Sequence, residues 1–269
     1  MSANTAYLPE VVEIARRAGN AIMEVYRGEI EVLRKDDSSP LTQADLAAHH
    51  IIESGLSKLT PQLPVLSEES AAIPYATRAT WRRYWLVDPL DGTREFIKRN
   101  GEFTVNIALI DDGKPVMGVV YAPAKDQLYY ASKDCGAFKQ SDNQAVQAIK
   151  ARKLDLANIT VAGSRSHSDA RMQAFLANLA GNLSQPKLIS IGSSLKICLV
   201  AEGAADVYPR LGLTSEWDTA AAQCVLEQAG GQLTDTSGNT LQYNTKESLL
   251  NPEFFACGAT PHNWKQYLE

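Results

Sequence analysis

The chain has 269 residues and a mass of 29.3 kDa, with 45% hydrophobic, 21% charged and 7% aromatic residues. This composition excludes a wholly disordered chain and is typical of a soluble globular protein with one large or two modest domains. The net charge is −5, and the basic residues come as scattered pairs rather than as a tract. Because binding to a nucleic acid polymer depends on clustered cations, we exclude that class of partner.

The sequence carries no signal for a membrane or for an oxidising compartment. It has no run of 18 apolar residues, and its first residues lack the basic and apolar regions of a secretion signal. The four cysteines lie far apart and form no metal-binding pattern: Cys135, Cys198, Cys224 and Cys257. We therefore expect a cytoplasmic protein without a transmembrane segment, in which the cysteines are reduced and mostly buried.

Two helices are predicted at the start of the chain. Apolar residues recur at steps of three and four from Leu8 to Val25, with Pro9 near the start and Gly28 at the end. A second helix is predicted from Thr42 to about residue 59, because Thr42 and Asp45 have the spacing of a capping box.

Strand-like runs follow at residues 84–87, 103–110, 116–122 and 127–131. Short breaks separate the last three runs, so the pattern predicts an antiparallel meander. Residues 140–153 contain few large apolar side chains and are the candidate boundary between an N-terminal part, 1–149, and a C-terminal part, 150–269. In the second part strands are predicted near 159–162, 188–191, 206–208 and 254–256, and helices near 169–180, 194–201 and 218–229.

The densest chemical signal is the segment Asp88-Pro-Leu-Asp-Gly-Thr93, directly after the first strand-like run. Asp, Pro and Gly after a strand are by themselves equally consistent with a simple turn. Two further acids favour a functional interpretation, since Glu68 and Asp218 also stand next to predicted elements. Loops at strand ends are where sites usually form, so we expect these carboxylates to converge.

Four converging carboxylates would need neutralising charges, because each pair of like charges costs about 4 kcal/mol at 4 Å and an effective dielectric near 20. Oxygen ligands favour Mg²⁺ or Mn²⁺, and the absence of a His-x-x-x-His or cysteine pair argues against zinc at this place. Asp218 has a second interpretation as the N-cap of the last helix, and the two roles are compatible. Gly92 would let the backbone approach a phosphate, and the Thr93 hydroxyl would hold a water.

These residues resemble a known family. Asp88-Pro-Leu-Asp-Gly-Thr93 with Glu68-Glu69 before it and Trp217-Asp218 after it is similar to the Mg²⁺-dependent, lithium-sensitive phosphatases of the inositol monophosphatase superfamily. The segments 95–103 and 192–203 resemble its bacterial 3′(2′),5′-bisphosphate nucleotidase branch, the CysQ type. The resemblance implies an α/β (α+β) fold, a layered αβαβα sandwich of the inositol monophosphatase and sugar phosphatase type.

The resemblance also implies a role for each site residue. The metal ligands would be Glu68, Asp88, the carbonyl of Leu90, Asp91 and Asp218, holding two or three Mg²⁺ ions with Asp88 as a bridge. Thr93, hydrogen-bonded to Asp45, would orient and help to deprotonate the attacking water, with Glu68 as a further catalytic residue. Asp45 thus has two interpretations, as a capping-box acid or as the partner of Thr93.

The residues that bind the substrate do not follow from the pattern alone, since a lone Lys or Arg is usually a solvated surface charge. By resemblance the substrate-binding residues would be Glu68, Leu90, Asp91, Gly92, Thr93, Ser164, His167, Ser194, Lys196, Arg210 and Asp218. Lys196 and Arg210 would clamp a second phosphate that the metal ions do not reach. His167 would face the nucleoside, or else belong to a helix N-cap region.

The function implied by the resemblance is hydrolysis of 3′-phosphoadenosine 5′-phosphate to AMP and phosphate, which clears a by-product of sulfate activation; the related 5′-phosphosulfate is a further possible substrate. The alternatives are an inositol monophosphatase or fructose-1,6-bisphosphatase activity and, in another class, a non-catalytic nucleotide sensor. Peripheral association with the inner face of a membrane is known in this branch and stays open. The oligomeric state cannot be read from the sequence.

Overall fold

The computed structural model of the protein describes residues 3–29, 32–34, 40–133, 135–142, 144–164 and 170–268. Within these ranges the α-helices are α1 (Ala3–Arg27), α2 (Gln43–Leu59), α3 (Tyr75–Arg78), α4 (Thr93–Ile97), α5 (Ala170–Asn182), α6 (Leu195–Ala201) and α7 (Glu216–Gln228). Single turns of 3₁₀ helix span Glu68–Ser70, Pro123–Lys125 and Trp264–Tyr267.

The strands are β1 (Val32–Arg34), β2 (Pro40–Thr42), β3 (Val65–Ser67), β4 (Arg83–Asp91), β5 (Thr104–Asp111), β6 (Lys114–Ala122), β7 (Gln127–Ser132), β8 (Gly136–Ser141), β9 (Gln147–Ile149), β10 (Thr160–Gly163), β11 (Lys187–Ser190), β12 (Val207–Arg210), β13 (Gln232–Asp235) and β14 (Phe254–Cys257). β3 to β9 form a seven-stranded sheet in chain order, antiparallel except for the parallel β3–β4 pair. The five-stranded sheet has the order β11-β10-β12-β14-β13, and β1 pairs with β2 alone.

The elements stack in five layers, as the family resemblance implied. α1 and α2 cover one face of the seven-stranded sheet, and α7 covers its other face. α6 lies beside α7 and contacts the five-stranded sheet, whose far side packs against α5 and the last 3₁₀ turn. The order is therefore helix, sheet, helix, sheet, helix, which confirms the αβαβα sandwich.

The alternation of side chains along β4 explains why this sheet is covered on both faces. Trp85 and Val87 point into the core under α1 and α2, whereas Tyr84 and Leu86 point into the core that α7 shares with the five-stranded sheet. All four side chains are at most 1% exposed. A strand buried on both faces reads as a continuous apolar run, which is the pattern that the sequence shows at residues 84–87.

α7 lies unusually close to the seven-stranded sheet at Gly118. A Cβ atom at this position of β6 would lie 2.1 Å from the carbonyl oxygen of Ala221 in α7. Only a residue without a side chain allows the helix to approach so closely. This contact sets the distance between α7 and the sheet, and with it the position of the residues at the N-terminal end of α7.

Most predicted elements are confirmed, and the errors have physical causes. α1 begins five residues before the predicted start, with Pro9 inside the helix. The weakly apolar stretch 140–153 is partly strand, because β8 and the edge strand β9 bury few side chains fully. β13 was missed since only Leu233 of its four residues is fully buried.

β9 ends at Ile149, so the seven-stranded sheet falls within residues 1–149 and the five-stranded sheet within 150–269. The division into two parts stays a prediction, and α7 of the second part packs on the sheet of the first. All four cysteines are described and form no disulfide bond, and Cys198 and Cys224 are buried. In the described part of the chain no helix has the length and hydropathy needed to cross a membrane.

Candidate functional site

A pocket of about 390 Å³ opens where the ends of β4, β10 and β12 meet the N-terminal ends of α4, α6 and α7. Its walls include eleven of the residues that the sequence singled out: Glu68, Asp88, Leu90, Asp91, Gly92, Thr93, Ser164, Ser194, Lys196, Arg210 and Asp218. The structure thus brings together residues from both halves of the chain.

A β-bulge at the end of β4 brings Asp88 and Asp91 to the same place. Asp88 pairs with Asn106 of β5, but Asp91 pairs with Thr104, so β4 holds one extra residue across this interval. In a regular strand, the side chains of residues three apart point to opposite faces. The extra residue of the bulge turns the side chain of Asp91 to the same side as that of Asp88. The N–H of Leu90 donates to Asp88 Oδ1 at 3.0 Å, which holds the bulge.

Asp218 reaches the same place from the first turn of α7. Ser215 is the N-cap, and its N–H donates to Asp218 Oδ2 at 2.8 Å in a capping box. The prediction that Asp218 is itself the N-cap is therefore wrong by three positions, because a Ser-x-x-Asp box satisfies the helix start from both directions. One oxygen from each of Asp88, Asp91 and Asp218 lies within 4.8 Å of the others.

Glu68 completes the acidic wall. It is the first residue of the 3₁₀ turn after β3, and β3 runs parallel to β4, so both strands end on the same side of the sheet. Burial, followed by the charge of Glu68 and then that of Asp91, raises the pKa of Asp88 well above its usual range. The convergence of Glu68, Asp88, Asp91 and Asp218 that the sequence predicted is present in the structure.

Burial also raises the pKa values of the other two aspartates. That of Asp91 rises to about 6, even though the Lys196 ammonium and the Ser194 N–H act in the opposite direction. The pKa of Asp218 is raised by burial and then by Asp91. Each pair of ionised carboxylates would cost about 3.5 kcal/mol at 4.8 Å and an effective dielectric near 20, so without a bound cation the cluster favours protonated forms.

The donor set suits a hard divalent cation. All the converging ligand atoms are oxygens, and no histidine or cysteine lines this pocket among the described residues. A bound cation would remove the repulsion among the carboxylates and would favour their ionised forms. The site is therefore a candidate metal centre.

Asp45 lies behind the pocket and contacts it through Thr93. Its Oδ2 accepts from the Thr42 N–H at 2.8 Å and from the Thr42 hydroxyl at 2.6 Å, which makes the predicted capping box of α2. Its Oδ1 faces the Thr93 hydroxyl at 3.3 Å. The contact that each interpretation requires is therefore present, one at each carboxylate oxygen, and the catalytic role of the Asp45–Thr93 pair stays a prediction.

Gly92 turns the chain from the bulge into α4. Its φ of +92° lies in the left-handed region, where a side chain would be strained, and an added Cβ would lie 3.2 Å from the Glu102 carbonyl. Thr93 is the first helical residue after this turn, and its hydroxyl also lies 3.4 Å from the Leu90 carbonyl oxygen. The turn aims the backbone of both residues into the pocket.

The opposite wall begins at Ser194, before α6. Its N–H donates to Asp91 Oδ2 at 2.6 Å, and its hydroxyl donates to Asn106 Oδ1 at 2.9 Å. Asn106 in turn donates to Asp91 at 3.4 Å. Ser194 therefore orients a carboxylate of the candidate metal centre. The sequence analysis missed Asn106, which occupies an otherwise apolar strand.

Lys196 and Arg210 supply the positive charge of the pocket. Lys196 is 6% exposed, and its ammonium donates to the Ser193 carbonyl at 2.7 Å. Burial lowers the pKa of Lys196 to about 8, although Asp91 acts to raise it. Arg210 donates from Nη2 to the Leu213 carbonyl at 2.7 Å, while its buried Nε has no partner among the described residues.

The rim adds residues that the sequence analysis did not single out. Tyr208 lies under Lys196, with the ammonium 5.4 Å from the ring centre, and Leu213 is 71% exposed at the mouth. An exposed leucine gives no periodic signal, so no pattern could have found it. Ser164 lines the pocket as predicted, and His167 lies outside the described residues.

Comparison with known proteins agrees with this geometry. A model of the inositol monophosphatase family matches residues 4–266. The 3′(2′),5′-bisphosphate nucleotidase CysQ of Salmonella typhimurium is 51% identical over 255 residues, which cover 92% of this chain and 98% of that protein. The protein of the same name from Haemophilus influenzae is 36% identical over 269 residues, which cover 100% of this chain and 99% of that one.

Solved structures show the same fold. The crystal structure of CysQ from Bacteroides thetaiotaomicron, described as a bacterial member of the inositol monophosphatase family, superimposes with a TM-score of 0.85 and 40% identity. The match covers 97% of this chain and 99% of that one. The similarity therefore extends over the whole sandwich and over every element that contributes to the pocket.

Proposed function

The chain belongs to the inositol monophosphatase family, and we propose that it is a Mg²⁺-dependent 3′(2′),5′-bisphosphate nucleotidase that hydrolyses 3′-phosphoadenosine 5′-phosphate to AMP and phosphate. The observation that carries this proposal is the meeting of Asp88, Asp91 and Asp218 in a pocket that also holds two cations, Lys196 and Arg210. The match to the two relatives that bear the nucleotidase name covers nearly their full length, 98% and 99%.

Glu68, Asp88, Asp91 and Asp218, with the Leu90 carbonyl, would hold two or three Mg²⁺ ions. The supporting observations are that burial raises the pKa values of Asp88, Asp91 and Asp218 and that all the ligand atoms of the set are oxygens. Bound Mg²⁺ supplies a water of lowered pKa and neutralises charge on the leaving oxygen. Family members are typically inhibited by lithium, and we expect the same here.

The protein's own groups position the attacking water and the phosphate. Thr93 presents a hydroxyl that Asp45 can accept from, so a water hydrogen-bonded to Thr93 Oγ1 would lose its proton toward this pair. The N–H groups of Gly92 and Thr93 would donate to the phosphoryl oxygens as negative charge develops. No covalent intermediate with the protein is required.

The second phosphate would be bound by the basic side of the pocket. Arg210 has a buried Nε with no partner in the described chain, which is the kind of donor that an incoming phosphate satisfies. Lys196 interacts electrostatically with both Asp91 and Arg210, so it would contribute charge to both the metal side and the nucleotide side. Ser164 lines the same wall, and a role for His167 stays a prediction.

The test is the rate of phosphate release from 3′-phosphoadenosine 5′-phosphate, inositol 1-phosphate and fructose 1,6-bisphosphate, with Mg²⁺ and with a chelator. Arg210→Gln is compared with Arg82→Gln, a control whose side chain is 76% exposed. The proposal predicts Mg²⁺-dependent preference for the nucleotide, and a selective loss of that preference in Arg210→Gln alone.

Other outcomes separate the alternatives. Preference for inositol 1-phosphate or fructose 1,6-bisphosphate would be consistent with the proposed metal centre but would contradict the proposed nucleotide substrate. Tight binding of the nucleotide with no release of phosphate would favour the non-catalytic sensor. Addition of the 5′-phosphosulfate analogue to the same assay shows whether it is a second substrate.

A further inference from the structure

A second group of metal-binding side chains lies on α2, separate from the carboxylate pocket. His49, His50 and Glu53 each offer a ligand atom, and the three atoms lie within 4.8 Å of one another. Glu53 is four residues after His49 and three after His50, so its side chain can reach both histidines on the helix surface. None of the three lines the carboxylate pocket.

The chemistry of this group differs from that of the pocket. Two imidazole nitrogens and one carboxylate form a ligand set that suits Zn²⁺ and similar borderline ions, with a water as the fourth ligand. Mg²⁺ prefers oxygen ligands and would favour the pocket instead. The two sites would therefore select different ions.

One ligand is already held in place and the other two are free to adjust. His49 is buried, and its Nδ1 lies 2.9 Å from the Ser67 hydroxyl. Its Nε2 lies 3.6 Å from the Glu53 carboxylate. His50 is exposed and the Glu53 side chain is 47% exposed, so both can rotate to the spacing of about 3.3 Å that tetrahedral Zn²⁺ requires.

The surroundings of His49 resemble those of a metal-bound histidine. Such a histidine usually donates its second ring N–H to an oxygen, which fixes the ring and leaves the other nitrogen for the ion. The Ser67 hydroxyl is placed to accept that hydrogen bond. Burial also lowers the pKa of His49, which favours the neutral ring that a metal ligand requires.

Ser67 connects this group to the pocket. It is the last residue of β3, it is 1% exposed, and Glu68 follows it directly. Because the Ser67 hydroxyl is hydrogen-bonded to His49 Nδ1, an ion on Nε2 of the same ring would change this hydrogen bond and, through it, the start of the 3₁₀ turn that carries Glu68.

We propose that His49, His50 and Glu53 bind one Zn²⁺, or an ion of the same class, and that its binding slows turnover in the pocket through Ser67 and Glu68. The binding depends only on α2 and β3. The effect on turnover rests on the proposed phosphatase function.

Binding is tested by equilibrium dialysis of the full chain against Zn²⁺ at saturating Mg²⁺. The native protein is compared with the double variant His50→Ala, Glu53→Gln and with Glu10→Gln, a control on an exposed glutamate of α1. We expect one Zn²⁺ fewer per chain, or at least tenfold weaker binding, in the double variant alone. Because any Zn²⁺ that replaces Mg²⁺ in the pocket is common to all three proteins, equal binding would overturn the proposed site.

The effect on turnover is measured by phosphate release from the same three proteins, with and without Zn²⁺. At the Zn²⁺ concentration that fills the site, we expect phosphate release by the native protein and by the control to slow. The double variant should slow much less. Without Zn²⁺ the three proteins should release phosphate at equal rates. Equal inhibition of all three would overturn the connection through Ser67. If no protein releases phosphate even without Zn²⁺, the phosphatase function fails, and the dialysis result is unaffected.

Discussion

At the scale of single residues, the two oxygens of Asp45 connect the fold to the chemistry. One oxygen holds the start of α2 through Thr42, and the other faces the Thr93 hydroxyl. The sequence predicted each of these contacts separately, because a capping box is a local pattern and the Thr93 contact followed from the family resemblance. That both occur at once depends on the placement of α2 next to β4, which no local pattern contains.

Replacing Thr93 tests its role in positioning the water. Thr93→Val keeps the shape and removes the hydroxyl, so we expect kcat to fall by about 10²- to 10⁴-fold with little change in KM. Thr93→Ser restores the hydroxyl and is the matched control, with most of the activity retained. A Thr93→Val protein with native kcat would exclude the hydroxyl from the reaction.

The buried aspartates make the stability of the metal-free protein depend on pH. Burial raises the pKa of Asp91 in the folded protein to about 6, above the value of about 3.9 for an unperturbed aspartate. The contribution of this group to stability is therefore complete below the lower value and is lost as the pH rises through the higher one. The loss from this group is on the order of 3 kcal/mol. We therefore expect the Tm in a chelator to fall between pH 4 and pH 7.

Mg²⁺ should remove most of this pH dependence, because a bound cation stabilises the ionised carboxylates. The measurement is thermal unfolding from pH 4 to pH 8 in chelator and in Mg²⁺, with Asp91→Asn as the comparison. A Tm in chelator that rises with pH over this range would show that the aspartates are not held in a repulsive cluster.

At the scale of elements, the pocket depends on a bulge in β4 and on the distance between α7 and the seven-stranded sheet. The sequence predicted a turn rich in acids after the strand, and it predicted the last helix within two residues of its start. It could not predict the extra residue between Asp88 and Asp91, because a bulge is recognised only from the pairing with β5. Strands β8, β9 and β13 were missed because each of them has at most one fully buried residue, so their sequences carry little apolar pattern.

Gly118→Ala tests the close packing of α7 on the sheet. The new methyl group would meet the backbone of Ala221, which cannot rotate away, so we expect at least about 1–3 kcal/mol of destabilisation and a lower affinity for Mg²⁺. Gly181→Ala is the matched control, because that position in α5 has open space around it and should be neutral or stabilising by up to about 1 kcal/mol. The measurement is denaturant unfolding of both variants. Equal stability of the two variants would mean that α7 can move away from the sheet without a loss of folding free energy.

At the scale of the whole molecule, the pocket is made by both halves of the chain. Asp88 and Asp91 come from the seven-stranded sheet, whereas Lys196, Arg210 and Asp218 come from the second half. The sequence predicted this meeting from acids at the ends of elements, and the resemblance supplied the layer order. The sequence did not predict that Leu213 lies at the mouth of the pocket or that His49, His50 and Glu53 form a group, because both depend on distances in the folded protein.

The most direct test of the account is Mg²⁺-dependent phosphate release from 3′-phosphoadenosine 5′-phosphate by Asp91→Asn and Asp218→Asn, one from each half of the chain. Asp112→Asn is the control, an aspartate that is 65% exposed and pairs with Arg82. We predict that each of the first two variants loses at least about 100-fold in rate and that the control keeps the native rate. A native, Mg²⁺-dependent rate in either Asp91→Asn or Asp218→Asn would contradict the carboxylate cluster as the catalytic metal centre.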